Sequence, residues 1–239
     1  VHIAEGDLAG ASSPAAAGII NPVTGKRFVK SWRFDEFYPV AKSAYQQLEQ
    51  DLGISIWEER PTLRLLATAE EANDWAIRCA QPEYQDHLGE APDAGAWATF
   101  LKPGFGFGVI HKSARANLPV LIQAFRKKVQ DEGFFINQTV DYQEIESLTK
   151  TYDQIVFCEG WRADQNPFFP KALFRVSKGE ALIIRFKEAP TDESGNRISP
   201  EEMLKITLLL VPLGDDTYWV GSTYRWHFED THPSQESRE

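Results

Sequence analysis

A lone carboxylate ends the short apolar stretch Val1-His2-Ile3-Ala4-Glu5, and a loop of small residues follows: Ala11-Ser12-Ser13-Pro14-Ala15-Ala16-Ala17-Gly18-Ile19-Ile20-Asn21-Pro22. A carboxylate at a strand end accepts hydrogen bonds from a ribose diol, and small side chains let a large ligand lie against backbone N–H groups. Alone, Glu5 reads as a solvated strand end. With the small-residue loop behind it, the two stretches read as half of a dinucleotide site. A second wall is offered by Cys158-Glu159-Gly160-Trp161, which ends the apolar run Gln154–Cys158. Glycine after a strand admits close backbone approach to a ligand, and a plain tight turn fits those residues equally well. A third group is the cationic run Lys26, Arg27, Lys30 and Arg33. Such a run is usually a solvated face. Here Phe28, Val29 and Trp32 interleave with it, which would turn some of the cations inward, toward an anionic substrate or an anionic reduced cofactor.

Other phosphate and nucleophile motifs fail on their spacing. Gly104-Phe105-Gly106-Phe107-Gly108 has Val109 where a third glycine of G-x-G-x-x-G belongs, and it reads as a glycine-kinked strand. Gly25-Lys26 resembles the end of a P-loop, but Ile20 and Arg27 occupy its glycine and hydroxyl positions. No serine sits in a G-x-S-x-G elbow, and no His/Cys pair has zinc-ligand spacing.

Composition narrows the field further. The chain has 239 residues, 42% hydrophobic and 25% charged, with 15 Phe, 7 Trp and 7 Tyr. That supports one large domain or two interleaved smaller ones, with a substantial core. A net charge of −10 argues against a broad nucleic-acid-binding face. No apolar run approaches the ~20 residues that span a bilayer. Two distant cysteines, Cys79 and Cys158, suggest free buried thiols in a reducing, cytoplasmic setting.

The elements that must position these residues alternate helices with strands. Val1–Glu5 reads as a buried strand. Apolar residues Phe37, Val40, Ala41, Ala44, Tyr45, Leu48 and Leu52 recur at helical spacing and predict a helix over Asp35–Leu52, with Pro39 in its first turn and Gly53 as its stop. Ile54–Trp57 and Thr62–Leu66 read as strands. Thr68 and Glu71 form a capping box for a helix to about Ala80. Residues 81–95 read as a loop, and Ala96–Leu101 and Phe105–His111 as a strand pair joined at Lys102-Pro103-Gly104. A helix over Asn117–Gln130, stopped by Gly133, leads to a strand at Phe134–Val140. Gln154–Cys158 fits the middle of a parallel sheet. Leu173–Val176, Glu180–Phe186, Ile206–Val211 and Tyr218–Thr223 read as strands, the last two joined as a hairpin at Gly214-Asp215-Asp216. The fold class is α/β with an added antiparallel sheet.

Taken together, Val1–Glu5, Ala11–Pro22, Ile155–Gly160, Lys178-Gly179-Glu180 and Trp219-Val220-Gly221-Ser222-Thr223 resemble FAD-dependent oxidoreductases of the D-amino-acid oxidase, glycine oxidase and sarcosine oxidase superfamily. The resemblance implies a Rossmann-type FAD-binding domain, incomplete here, interleaved with a substrate domain on an antiparallel sheet. It places the FAD-binding part at 1–53 and 112–165 and the substrate part at 54–111 and 166–239. It implies FAD as cofactor, with Glu5 on the adenosine ribose and Ser12, Ser13, Ala17, Gly18 and Ile19 passing the pyrophosphate and flavin. Val140 would meet adenine, and Cys158, Gly160 and Trp161 would form the turn over the dinucleotide. Arg27 and Lys30 fall where related enzymes place basic residues beside the flavin, and are the candidate catalytic cations. Lys30 stands where arginine is expected, which disfavours a bidentate carboxylate clamp. The implied reaction is hydride transfer from a small amine or amino-acid-like donor to flavin, with no nucleic-acid or membrane partner. A non-catalytic dinucleotide-binding or scaffolding module on the same fold is the alternative. The family's first strand and glycine-rich helix entry would precede Val1, and its closing flavin segment would follow Glu239, so the chain reads as a middle piece.

Overall fold

Local signals set most of the elements. In the computed structural model, which describes residues 1–239 other than 7–9, 26, 92, 102–103, 188–190, 192–193, 197 and 239, Thr68 Oγ1 accepts from Glu71 N at 3.1 Å and starts a helix at Ala69. The Glu71 carboxylate reaches back to Ala67 N at 2.9 Å, so the capping box closes one residue early. Gly53 ends the first helix at φ 65°, and Gly133 follows the third at φ 75°, the left-handed conformation that glycine adopts without strain.

In chain order the elements are β1 (Ile3–Glu5), β2 (Ile19–Ile20), β3 (Val23–Thr24), β4 (Val29–Lys30), α1 (Phe34–Leu52), β5 (Trp57–Glu59), β6 (Thr62–Leu65), α2 (Ala69–Cys79) and β7 (Leu88–Ala91). They continue as β8 (Phe107–Ile110), β9 (Ala114–Ala116), α3 (Leu118–Asp131), β10 (Phe135–Asn137), α4 (Ile145–Leu148), β11 (Ala181–Arg185), β12 (Met203–Lys205), β13 (Leu209–Gly214) and β14 (Thr217–Gly221). The chain divides into two compact units. The first comprises Val1–Ala16, Pro119–Glu180 and Tyr224–Glu239, the second Ala17–Leu118 and Ala181–Thr223. Residues 17–53 thus cluster with the second unit, since β2 pairs with β9 and α1 packs on β5.

The first unit carries a parallel pair, β1 with β10, in register Ile3↔Phe135 to Glu5↔Asn137. α3 leads directly into β10, the helix-then-strand order of a βαβ crossover. The second unit holds a seven-stranded sheet ordered β11-β14-β13-β12-β6-β8-β7. All its pairs are antiparallel except β12 with β6. One side chain cluster gathers Phe28, Leu66, Trp75, Tyr84, Leu88 and Ile110. Another joins Leu63, Ala94, Trp97, Leu204 and Tyr218. The β13–β14 hairpin turns through Gly214, Asp215 and Asp216, all at positive φ, as the Gly-Asp-Asp signal requires.

Several expectations are corrected. Ala96–Leu101 is not a strand: Gly95–Thr99 is a 3-10 helix. Trp97, Phe100 and Leu101 share a helical i, i+3, i+4 spacing and pack together, and buried Trp97 donates from Nε1 to Glu202 O at 3.0 Å. The run 81–95 contains β7. Gln154–Cys158 pairs with no strand among the described residues, and Val156 is 79% exposed. Leu173–Val176 is not a strand either, because a 3-10 turn, Lys171–Leu173, takes its start. The strand expected at Ile206–Val211 begins only at Leu209, in β13, because 206–208 form the bend after β12, and that at Ile54–Trp57 moves forward to β5. β1 is half-exposed, not buried. Pro39 lies in the second turn of α1, and the helix buries only Phe34 fully, leaving Phe37 and Val40 exposed. Lys102 and Pro103 lie outside the described residues.

Candidate cofactor site

In the first unit, Glu5 closes β1 at the carboxyl end of a parallel pair, the end at which open α/β sheets bind ligands. Gln138 N donates to Glu5 O at 3.1 Å. Gly6 packs on Thr139 so closely that a Cβ would fall 2.0 Å from its Oγ1. These contacts draw the residues just before Val140 against Glu5 and Gly6. Arg126 of α3 forms an ion pair with Glu5 Oε1, and its Nε is buried with no partner among the described residues. A buried donor without an acceptor is costly, so a ligand oxygen there would lower the energy. A carboxylate has about four lone-pair sites, and one ion pair does not exhaust them.

The small-residue loop and the second wall meet. Trp161 Nε1 donates to Gly10 O at 3.0 Å. Beyond Gly10, Ser12 O accepts from Ala15 N at 3.1 Å and Ala16 N at 2.9 Å, folding the loop into a turn with Ser12 and Ser13 exposed. Gly160, at φ 58°, opens a 3-10 helix over Gly160–Gln165. Against the expectation of buried thiols, Cys158 is exposed and Cys79 only partly buried. Glu5, the loop through Ser13, Val140 and Cys158–Trp161 therefore all belong to the first unit.

The remaining candidates lie in the second unit. Ala17 is buried with Met203, Leu209, Val211 and Trp219, and Ile19 packs against the same cluster. Gly18 sits at φ 73° where a Cβ would fall 1.8 Å from Ala116 O, and its own carbonyl accepts from Ala116 N at 2.8 Å. Arg27 is exposed between β3 and β4, and its carbonyl accepts from Arg78 Nε at 3.2 Å. Lys26 lies outside the described residues. Lys30 is held by three groups: an ion pair with Asp35, a bond from Nζ to Glu83 O at 3.1 Å, and a bond from its backbone N–H to the Tyr84 hydroxyl oxygen at 3.3 Å. Asp35 also takes buried His87 Nε2 at 2.8 Å. Lys30, first among its neighbours, holds the Asp35 carboxyl below its ordinary range, and burial pushes the His87 imidazole down. Arg33 folds back onto Glu36 and stacks its guanidinium over Trp32 and Phe37. Of the interleaved apolar residues only Phe28 points inward; Val29 and Trp32 are exposed.

Arg126, Glu159, Asp35 and His87 were not legible as site residues. Arg126 lies in a helix that reads as amphipathic, and no spacing rule ties it to Glu5. A shallow cavity of about 670 Å³ in the second unit, lined by Asp35, Tyr38, Lys42, Glu59 and His111 among others, contains none of the predicted site residues. Among the described residues no His, Cys, Asp and Glu cluster could hold a metal ion, and no helix is long and apolar enough to cross a membrane.

The first unit brings a strand-end acid, a helix leading into a parallel strand and a glycine-opened turn into one body, parts from which dinucleotide-binding folds are built. The chain belongs to the DAO family of FAD dependent oxidoreductases, whose family model it matches over residues 1–239. Solved structures share the fold at low identity. Glycine oxidase from Geobacillus kaustophilus superposes with TM-score 0.68 at 16% identity, covering 95% of this chain and 65% of that one. Iminodiacetate oxidase from Chelativorans sp. gives TM-score 0.66 at 13% identity, covering 99% and 69%. L-amino acid deaminase from Proteus vulgaris gives 0.56 at 12%, covering 91% and 54%. The chain spans just under two thirds of the length of the Geobacillus enzyme. FAD is the cofactor of the family, and the residues of the first unit fit it: an acid for a diol, a small-residue loop and an orphaned buried donor.

Proposed function

We propose that the protein is an FAD-dependent oxidoreductase that takes a hydride from a small amine or amino-acid-like donor and acts in the cytoplasm. The observation that carries this reading is the gathering of the strand-end acid, the Ser12–Ala16 turn and the glycine turn in one unit, in a chain that matches the family from end to end. Residues 1–53 and 112–165 would form the FAD-binding part, and 54–111 and 166–239 the substrate part. Glu5 would hold the adenosine ribose, with Arg126 fixing its ionised carboxylate. Val140 would lie along adenine, and Cys158, Gly160 and Trp161 would cover the dinucleotide. Ser12, Ser13, Ala17, Gly18 and Ile19 would carry the chain past the pyrophosphate and flavin.

Bound FAD would supply the hydride-accepting ring. The protein's own part is to orient the donor, exclude water and set the local charge. Arg27, exposed on the β3–β4 turn, is the cation suited to an anionic partner. Lys30 is neutralised by Asp35, so it would act through that pair rather than as a lone charge.

The test is anaerobic mixing of the flavin-loaded protein with a panel of amines and amino acids, followed by flavin absorbance. Bleaching by at least one donor is expected. A loaded protein that no donor reduces would instead be a binding module on the same fold.

A further inference from the structure

The turn expected to cover the cofactor contains a second carboxylate, Glu159, between Cys158 and Gly160. Its Oε1 accepts from Tyr142 OH at 2.7 Å, and its Oε2 accepts from Asn166 Nδ2 at 2.6 Å. Asn166 is 2% exposed and is itself fixed, because its Oδ1 accepts from Phe168 N at 2.9 Å. Glu159 pushes the Tyr142 phenol up to about 12, so that hydroxyl stays protonated and remains a donor. Around this network Phe157 stacks on Phe168, and Tyr142 meets the same ring edge-on. Both carboxylate oxygens are thus occupied by protein groups, one on either side of the turn. A glutamate so placed ties two separate segments to the turn that carries it. It is a fastener.

We infer that Glu159 is the positioning residue of the cofactor turn: by bridging Tyr142 and buried Asn166, it holds the backbone of Cys158–Trp161 in the conformation that receives the dinucleotide. The inference rests on the FAD reading for its ligand and on geometry alone for the fastening. Gly160 at φ 58° needs such support, because glycine gains most freedom when released. The bond from Trp161 to Gly10 O fixes the far end of the turn, and Glu159 fixes the near end.

The donor pattern offers a discriminating test. Asn166→Asp would set a carboxylate against the Glu159 carboxylate and break that bond, since neither can donate. Adding Glu159→Gln would restore it with donor and acceptor exchanged, since the amide introduced there donates to the carboxylate at 166, which still accepts from Phe168 N. Hydrogen exchange of amides 158–162 in the FAD-free protein reads the fastening, and FAD fluorescence titration reads its consequence. Asn166→Asp should raise that local exchange and the FAD Kd each by about tenfold or more, while exchange in β6 and β8 is unchanged. Glu159→Gln/Asn166→Asp should recover most of both losses, and Tyr142→Phe should give a smaller change at the same amides. Unchanged local exchange in Asn166→Asp overturns the inference, as does an FAD Kd within about twofold of the parent. Failure of the exchanged pair to recover either quantity overturns it too. A parent protein that binds no FAD overturns the functional reading instead, and the exchange arm still decides whether Glu159 fastens the turn.

Discussion

Gly18→Ala is expected to destabilise the protein by about 2–5 kcal/mol, among the largest effects of any single methyl group in this chain. Two costs add. The backbone at φ 73° is a conformation an L side chain adopts only with strain of about 1–2 kcal/mol. The added Cβ would also fall 1.8 Å from Ala116 O, an overlap with backbone that no rotamer relieves, and overpacking of this kind costs about 1–3 kcal/mol. Gly53→Ala is the control. Gly53 has φ 65° but nothing within 4 Å of a new Cβ, so it isolates the strain at about 1–2 kcal/mol. Urea denaturation midpoints of the two variants separate the terms. Equal losses would mean that the Gly18–Ala116 approach is not tight, and that the small-residue loop is not a close-packed passage there.

Trp75→Ala should cost about 3–5 kcal/mol. Trp75 is 2% exposed, meets Phe28 edge-on at 5.0 Å and donates from Nε1 to Gly89 O at 3.1 Å. Its ring is fitted against Gly108, where a Cβ would fall 2.1 Å away. Phe28 is flanked by Arg27 and by β4, which carries Lys30. The Trp75–Phe28 contact is therefore what pins the β3–β4 turn and presents its cations. Loss of stability should be accompanied by greater mobility of that turn, visible as faster amide exchange at residues 27–30. Ile77→Ala on the same helix, 51% exposed, should stay within about 1 kcal/mol of the parent. A Trp75 variant no worse than Ile77→Ala would contradict this assignment of the core.

What the sequence revealed follows from range. Helices α1, α2 and α3, the capping box at Thr68 and the Gly214-Asp215-Asp216 hairpin rest on interactions between residues a few positions apart, and spacing displays those. β7 and β9 escaped because their partners are distant. Ala114-Arg115-Ala116 reads as nothing in particular until it is seen buried between β2 and β5, with Arg115 Nη1 3.1 Å from Glu58 Oε1. The apolar face of α1 was legible as periodic, but not that Phe37 and Val40 would be exposed. At the site, Glu5 and Gly160 were visible through their residue type and place. Arg126 and Glu159 were not, because a buried polar partner leaves no periodic trace and is recognised only by what it touches.

The central claim is that the first unit holds FAD by its strand-end acid and glycine turn. The most direct measurement is an FAD titration of the protein at its full natural length, read by the flavin absorption spectrum after removal of free cofactor, alongside Glu5→Gln. The parent should retain a flavin spectrum, and Glu5→Gln should weaken FAD binding by about tenfold or more, the worth of a hydrogen bond to a charged group. A colourless parent that gains no flavin on adding FAD, or a Glu5→Gln variant that binds as tightly as the parent, would contradict the claim.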